Sequence, residues 1–229
     1  MNMDCQLIAV KTIDLIGNSC INDLTCKPII DYTRDWVSTE LPDNFILAVL
    51  PLEQFTDATA FFNQAFNSKT RYEFRKVAED GYTFRPLSTK ERNSRLNELF
   101  AINTSTDYRQ GDKMNETYFE FPEEMALEIC PSHFHRTYGA FTSHGEWVGY
   151  IDVRFCGEWA STYHILGHKQ FLQACKKGSL MVNLWFEMVR DILTNHPHVK
   201  FVFYHLMDVG NPGLQAWKKR VGLEPTKLI

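Results

Sequence analysis

Between Thr137 and Leu166 the chain reads TYGAFTS, EWVGYIDVRFC and EWASTYHIL, three runs rich in β-branched and aromatic residues, separated by His144-Gly145 and by Gly157. Alternation of this length joined at glycine turns predicts an antiparallel meander of three strands. The next stretch of chain narrows the fold further. Met181, Trp185, Met188 and Ile192 recur at helical spacing, with Asn183, Glu187, Arg190 and Asp191 on the opposite side. That is an amphipathic helix, with Ser179 as its N-cap and Gly178 the flexible residue before it. VKFVFYHLM, Val199 to Met207, is then a nearly continuous apolar run, which suits a strand covered on both faces.

Upstream, NFILAVLPL reads as a buried strand stopped by Pro51, and Phe55, Ala58, Phe62 and Ala65 share one helical face after it. From Gly81, YTFRPL alternates like a strand. Ser88 and Glu91 have capping-box spacing ahead of a helix carrying Leu96, Leu99 and Asn103. A Gly-Asn-Pro-Gly break precedes a last short helix, LQAWKKRVG, and the tail LEPTKLI. The fold class is therefore α/β, with residues 1–80 an N-terminal extension and 81–229 the main domain. The first 40 residues show no periodicity.

With 229 residues, 44% of them hydrophobic, the chain can bury a substantial core. A formal charge of −4 argues against a general nucleic-acid binder, DNA included, which needs a basic face. The six cysteines are scattered without a CxxC pair, so a reducing cytoplasm is expected and a disulfide framework is not. The longest apolar run, FILAVL, is far too short to span a membrane, and no membrane association is expected.

Against this mildly acidic background, Lys176 and Lys177 stand directly before Gly178, Ser179 and Leu180 at the start of the long helix. Exposed N–H groups and about half a positive charge at a helix start favour an anion.

The strand, polar loop and helix of ILGHKQFLQACKKGSLMVNLWFEMV, with the ending NPGLQAWKKRVGLEP, resemble the GNAT superfamily of N-acyltransferases over roughly Gly81 to Ile229. The resemblance implies a twisted mixed sheet whose fourth and fifth core strands splay apart to admit a pantetheine arm. It implies a coenzyme A diphosphate held by Lys176, Lys177, Gly178, Ser179 and Leu180, with Lys218 alongside. Backbone amides near Ile165 and Leu166 would polarise the thioester carbonyl. The usual loop has Arg or Gln, then Gly, then Gly or Ala, where this chain has Cys175, Gly178 and Leu180, and the usual closing tyrosine is Lys218. Those departures leave room for a different acyl donor.

On this resemblance the expected activity is acyl transfer from a coenzyme A or acyl carrier protein thioester to a small-molecule amine, by direct attack. Two alternatives stay open: a transferase using aminoacyl-tRNA, and a non-catalytic ligand-binding module. Oligomeric state is left open. The proton acceptor would be Glu158, His168 or His164, the histidines having a suitable intrinsic pKa. Arg109, in DYRQGD, would clamp an acceptor carboxylate or phosphate. Asp208 and Asn211 close the last buried strand and would face the cleft, with helix capping the alternative for Asn211. CPSHFHR offers Cys130, His133 and His135, but without a fourth ligand nearby no metal is expected.

Overall fold

A computed structural model describes residues 5–10, 13–16, 26–38, 41–42, 45–109, 111–126, 130–175 and 178–229. In chain order, β1 (Gln6–Ile8), α1 (Lys27–Trp36), β2 (Leu47–Pro51), α2 (Ala58–Ala65) and α3 (Ser68–Glu79) come first. Next are β3 (Thr83–Leu87), α4 (Thr89–Ser94), α5 (Leu96–Asn103), the small hairpin β4 (Tyr108–Arg109) and β5 (Asp112–Lys113), and a 3-10 turn at Glu116–Phe119. The meander is β6 (His133–Phe141), β7 (Trp147–Cys156) and β8 (Trp159–Gly167). After it come α6 (Lys169–Ala174), α7 (Leu180–Asn195), β9 (Phe201–Leu206), α8 (Pro212–Arg220) and β10 (Glu224–Leu228).

Eight strands form one mixed sheet in the order β1-β10-β2-β9-β8-β7-β6-β3. The meander pairs antiparallel, as its glycine turns require, whereas β8 and β9 are parallel because α7 carries the chain back between them. β1 and β2 join this same sheet, and Phe61 and Phe66 pack with α7 in its main core. Within the residues 1–80 expected as an extension, β1 and β2 thus belong to the same sheet as the later strands, and α2 packs in the main core with α7.

Short-range signals hold. Ser88 Oγ accepts from the Glu91 amide at 3.1 Å, and Asn211 Oδ1 accepts from the Leu214 amide at 2.9 Å. Such caps satisfy helix amides that have no intrahelical partner. The helix expected after Ser88 is broken at Arg95 into α4 and α5, and α3 and α6 had no clear sequence signature. α7 buries Val182, Leu184, Trp185 and Met188 against one face of the sheet. On the other face, Leu99 and Ile102 of α5 meet Tyr150 and Leu166. Among the described residues no helix is long and apolar enough to cross a membrane.

Candidate functional site

β8 and β9 stay paired for only three residues, Trp159 to Ser161 against Phe201 to Phe203. The last link is Thr162 Oγ1 donating to the Phe203 carbonyl at 2.9 Å. Each strand then bulges. Val153 faces Thr162 but Asp152 faces His164, so Tyr163 is an extra residue in β8. In β9, Val49 faces Phe203 and Leu47 faces Leu206, which sets Tyr204 and His205 against Ala48 alone. His205 takes the left-handed φ of 52°. A bulge bends its strand and raises the local twist, so two at the same level turn the strands apart.

The gap holds a cavity of about 500 Å³. Ile165, Leu166 and Gly167 form one wall, Tyr204, Leu214 and Trp217 the other, and the β4–β5 hairpin reaches it through Tyr108 and Arg109. Arg109 and Lys169 are the charged side chains of the lining, which contains no carboxylate among the described residues. Such a chamber suits an anionic or carbonyl-rich ligand with an apolar stem.

Backbone direction follows from one bond. The His168 amide donates to the Val148 carbonyl at 2.8 Å. Because hydrogen-bonded pairs recur every second residue in an antiparallel ladder, Leu166 also turns its amide to β7, while those of Ile165 and Gly167 face the gap. The Ile165 carbonyl confirms the direction by accepting from the Arg109 guanidinium across it. Of the two amides expected to polarise a carbonyl, Ile165 is therefore well placed and Leu166 is not.

His164 is not itself in the cavity lining but lies next to it, on the same face of β8 as the lining residue Leu166. Its Nδ1 is 3.3 Å from Oδ2 of Asp152, a side chain only 6% exposed. The other Asp152 oxygen accepts from Thr137 Oγ1 at 2.5 Å. A carboxylate on Nδ1 orients the ring and leaves Nε2 for a substrate proton. Tyr118 packs edge-on to His164, with centroids 5.4 Å apart. Burial raises the phenol pKa of both Tyr118 and Tyr204, opposed in each by the charge of Arg109, so these hydroxyls stay protonated near neutrality. The indole Nε1 of Trp217 is buried and has no partner among the described residues.

The overall fold is similar to that of FemX. The solved structure of FemX matches with a TM-score of 0.51 at 9% identity, over 81% of this chain and 61% of that one. L-PGS from Bacillus licheniformis matches with a TM-score of 0.48 at 13% identity, over 79% of this chain and 58% of that one. A tandem GNAT protein from the clavulanic acid biosynthesis pathway matches with a TM-score of 0.44 at 14% identity, over 81% of this chain and 51% of that one. The chain spans between half and about three fifths of these solved chains. No family model and no curated protein matches it.

Of the residues expected at the site, Arg109, Ile165, Leu166, Ser179 and Asn211 line the cavity. Glu158 does not. It sits in the turn before β8, at the closed end of the strand pair, where its carboxylate meets Lys200 Nζ at 2.7 Å and the Asp14 amide at 3.0 Å. Seven residues of strand, roughly 23 Å, separate it from Ile165. Its role is to tie strand ends together. His168 leads into α6, packed on Phe171 with ring centroids 5.3 Å apart, and its Nδ1 is buried without a partner among the described residues. Asp208 is exposed and lies outside the lining.

The expected diphosphate seat lies at the head of α7, where Ser179 lines the cavity. Lys176 and Lys177 lie outside the described residues. The Val182 amide donates to Ser179 Oγ at 3.4 Å. Burial and then Asp80 push the Cys175 thiol pKa up, so it is no reactive thiolate. The Leu180 side chain turns away to pack with Val77 of α3. Lys218, expected beside the cofactor, is 1% exposed and donates to the carbonyls of Leu206 and Val209, securing the end of β9.

Asp152, Tyr204 and Trp217 were missed from sequence. A carboxylate inside the apolar run VGYIDVRF was the one available signal, since a buried charge requires a partner.

Proposed function

We propose that the chain is an acyltransferase that moves an acyl group from a thioester to an amine, with the reacting carbonyl seated between β8 and β9. The supporting observation is the cavity of about 500 Å³ opened by the paired bulges, with the Ile165 amide on one side and Tyr204 on the other. The pantetheine arm of coenzyme A or of an acyl carrier protein fits its largely apolar walls. The buried Trp217 Nε1 offers a hydrogen bond to an amide carbonyl of that arm.

In this reading His164 Nε2 takes a proton from the substrate ammonium, with the Asp152 carboxylate stabilising the imidazolium. The freed amine attacks the thioester carbon, and the developing oxyanion is held by inward-facing strand amides. The C–N bond forms, the C–S bond breaks, the leaving thiolate takes the Tyr204 proton, and the Tyr204 phenolate regains a proton from the nitrogen of the new amide. Tyr204 supplies the acid that Lys218 cannot, because Lys218 is buried on carbonyls.

A second reading is favoured by the departures at the head of α7, where Cys175 and Leu180 replace the usual loop residues and the Val182 amide is taken by Ser179 Oγ. It keeps the same chemistry with aminoacyl-tRNA as donor, the ester oxygen leaving in place of sulfur.

Coenzyme A at a hundredfold its Kd adds about 2.7 kcal/mol, roughly 5–10 °C in Tm for a chain of this size. Acyl-coenzyme A with a panel of amines should then release free thiol. His164→Gln should lower that rate by about 10²–10⁴, while Glu158→Gln leaves it unchanged. Stabilisation by aminoacyl-tRNA alone selects the second reading. Neither stabilisation nor turnover with either donor refutes both.

A further inference from the structure

At the opposite end of the sheet from the cavity, Cys26, Cys130 and His133 place two sulfurs and a ring nitrogen within 4.8 Å of one another. The three come from the N-terminus of α1, the loop before β6, and the first residue of β6. They are 1%, 8% and 4% exposed. We infer that these side chains, completed by Cys156, form a structural site for a thiophilic divalent metal, zinc by ligand type.

Chemistry and geometry agree. The separation of Cys130 Sγ from His133 Nδ1 is 3.4 Å. Tetrahedral zinc with ordinary Zn–S and Zn–N lengths needs about 3.6 Å between such donors. His133 Nε2 lies 2.7 Å from the Leu15 carbonyl, which can only accept. The proton is therefore on Nε2, and Nδ1 keeps its lone pair toward the sulfurs. Backbone-anchored imidazoles of this kind are the usual form of a metal-ligating histidine. Cys156 faces His133 directly across the β6–β7 ladder, and its sulfur bonds the same Leu15 carbonyl. Directly opposed residues have Cβ atoms about 5 Å apart on one face, so a rotamer change brings this thiol to the fourth position. Ile29, Ile30 and Leu15 enclose the cluster in an apolar shell. His135, the other histidine of CPSHFHR, bonds the Tyr163 hydroxyl at 3.3 Å and is not part of it. Binding would release the thiol protons to solvent and pin α1 to the sheet.

The test uses the full chain. Purified with zinc present, it should retain about one zinc per molecule, and cobalt(II) should give thiolate charge-transfer absorption. Zinc at a hundredfold its Kd should raise Tm by roughly 5 °C or more. His133→Gln and Cys130→Ser should weaken binding by at least about a hundredfold and Cys156→Ser by at least about tenfold, while Cys5→Ser binds as wild type. A folded wild-type chain that takes up neither metal at micromolar concentration, or a His133→Gln chain that binds normally, overturns the site. Unchanged binding by Cys156→Ser overturns the fourth ligand.

Discussion

Replacing Gly178 by alanine separates two reasons for a glycine at the head of α7: room for a phosphate, or room for α3. An alanine Cβ would stand 2.4 Å from Val77 Cγ2 and 2.9 Å from the Glu73 carbonyl oxygen, where ordinary contact begins at 3.4 Å. Neither neighbour yields cheaply. Val77 is fully buried with a stiff β-branched side chain, and the Glu73 oxygen moves only with its helix. Gly178 lacks a positive φ, so the backbone itself accepts alanine. Restricting the unfolded chain would by itself stabilise the variant by about 0.4–1 kcal/mol. Overpacking costs about 1–3 kcal/mol, which leaves a net loss of about 1–2 kcal/mol. For a chain of this size Tm should fall by about 2–8 °C, read by calorimetry without ligand. Val77→Ala removes the clashing methyl, so the double variant should be more stable than the summed single effects by about 1 kcal/mol. A Gly178→Ala protein as stable as wild type, with weakened coenzyme A binding, would refute the packing of α3 on this loop and restore the phosphate explanation.

Lys218→Met keeps the length of the stem but leaves the Leu206 and Val209 carbonyls without their donor. Relief of a buried ammonium offsets part of the loss, so denaturant melts should show about 2–4 kcal/mol of destabilisation, with faster amide exchange over residues 201–209. An unchanged midpoint would sink this assignment. Burial, then the charge of Arg154, lowers the His135 pKa to about 4. The folded state thus binds fewer protons than the unfolded one between about pH 6.5 and 4; the stability present above 6.5 declines through that window by at most about 3 kcal/mol. In His135→Gln this contribution should vanish from a urea-midpoint series against pH, and an identical slope would refute it.

What the sequence determined by itself was everything that local periodicity and capping control. The Thr137–Leu166 meander, the α7 stripe and the caps at Ser88, Ser179 and Asn211 depend on neighbours within a few residues. The site was decided elsewhere. Counting back from the Gly157 turn would set Asp152 opposite Tyr163; the one-residue bulge in β8 sets it opposite His164 instead. A slip of one residue exchanges the two faces of a strand, and no pattern in EWASTYHIL announces it. Glu158 looked like a base because it begins the strand, yet the direction of β8 puts that end where the pair is closed. Tyr204 reads as one more apolar residue in VKFVFYHLM until the companion bulge at His205 turns it to the gap. Cys26 and His133, 107 positions apart, meet only because α1 packs across the ends of β6 and β7. Contacts of that separation are set by how elements close over one another, a property of the assembled sheet and not of any short stretch of chain.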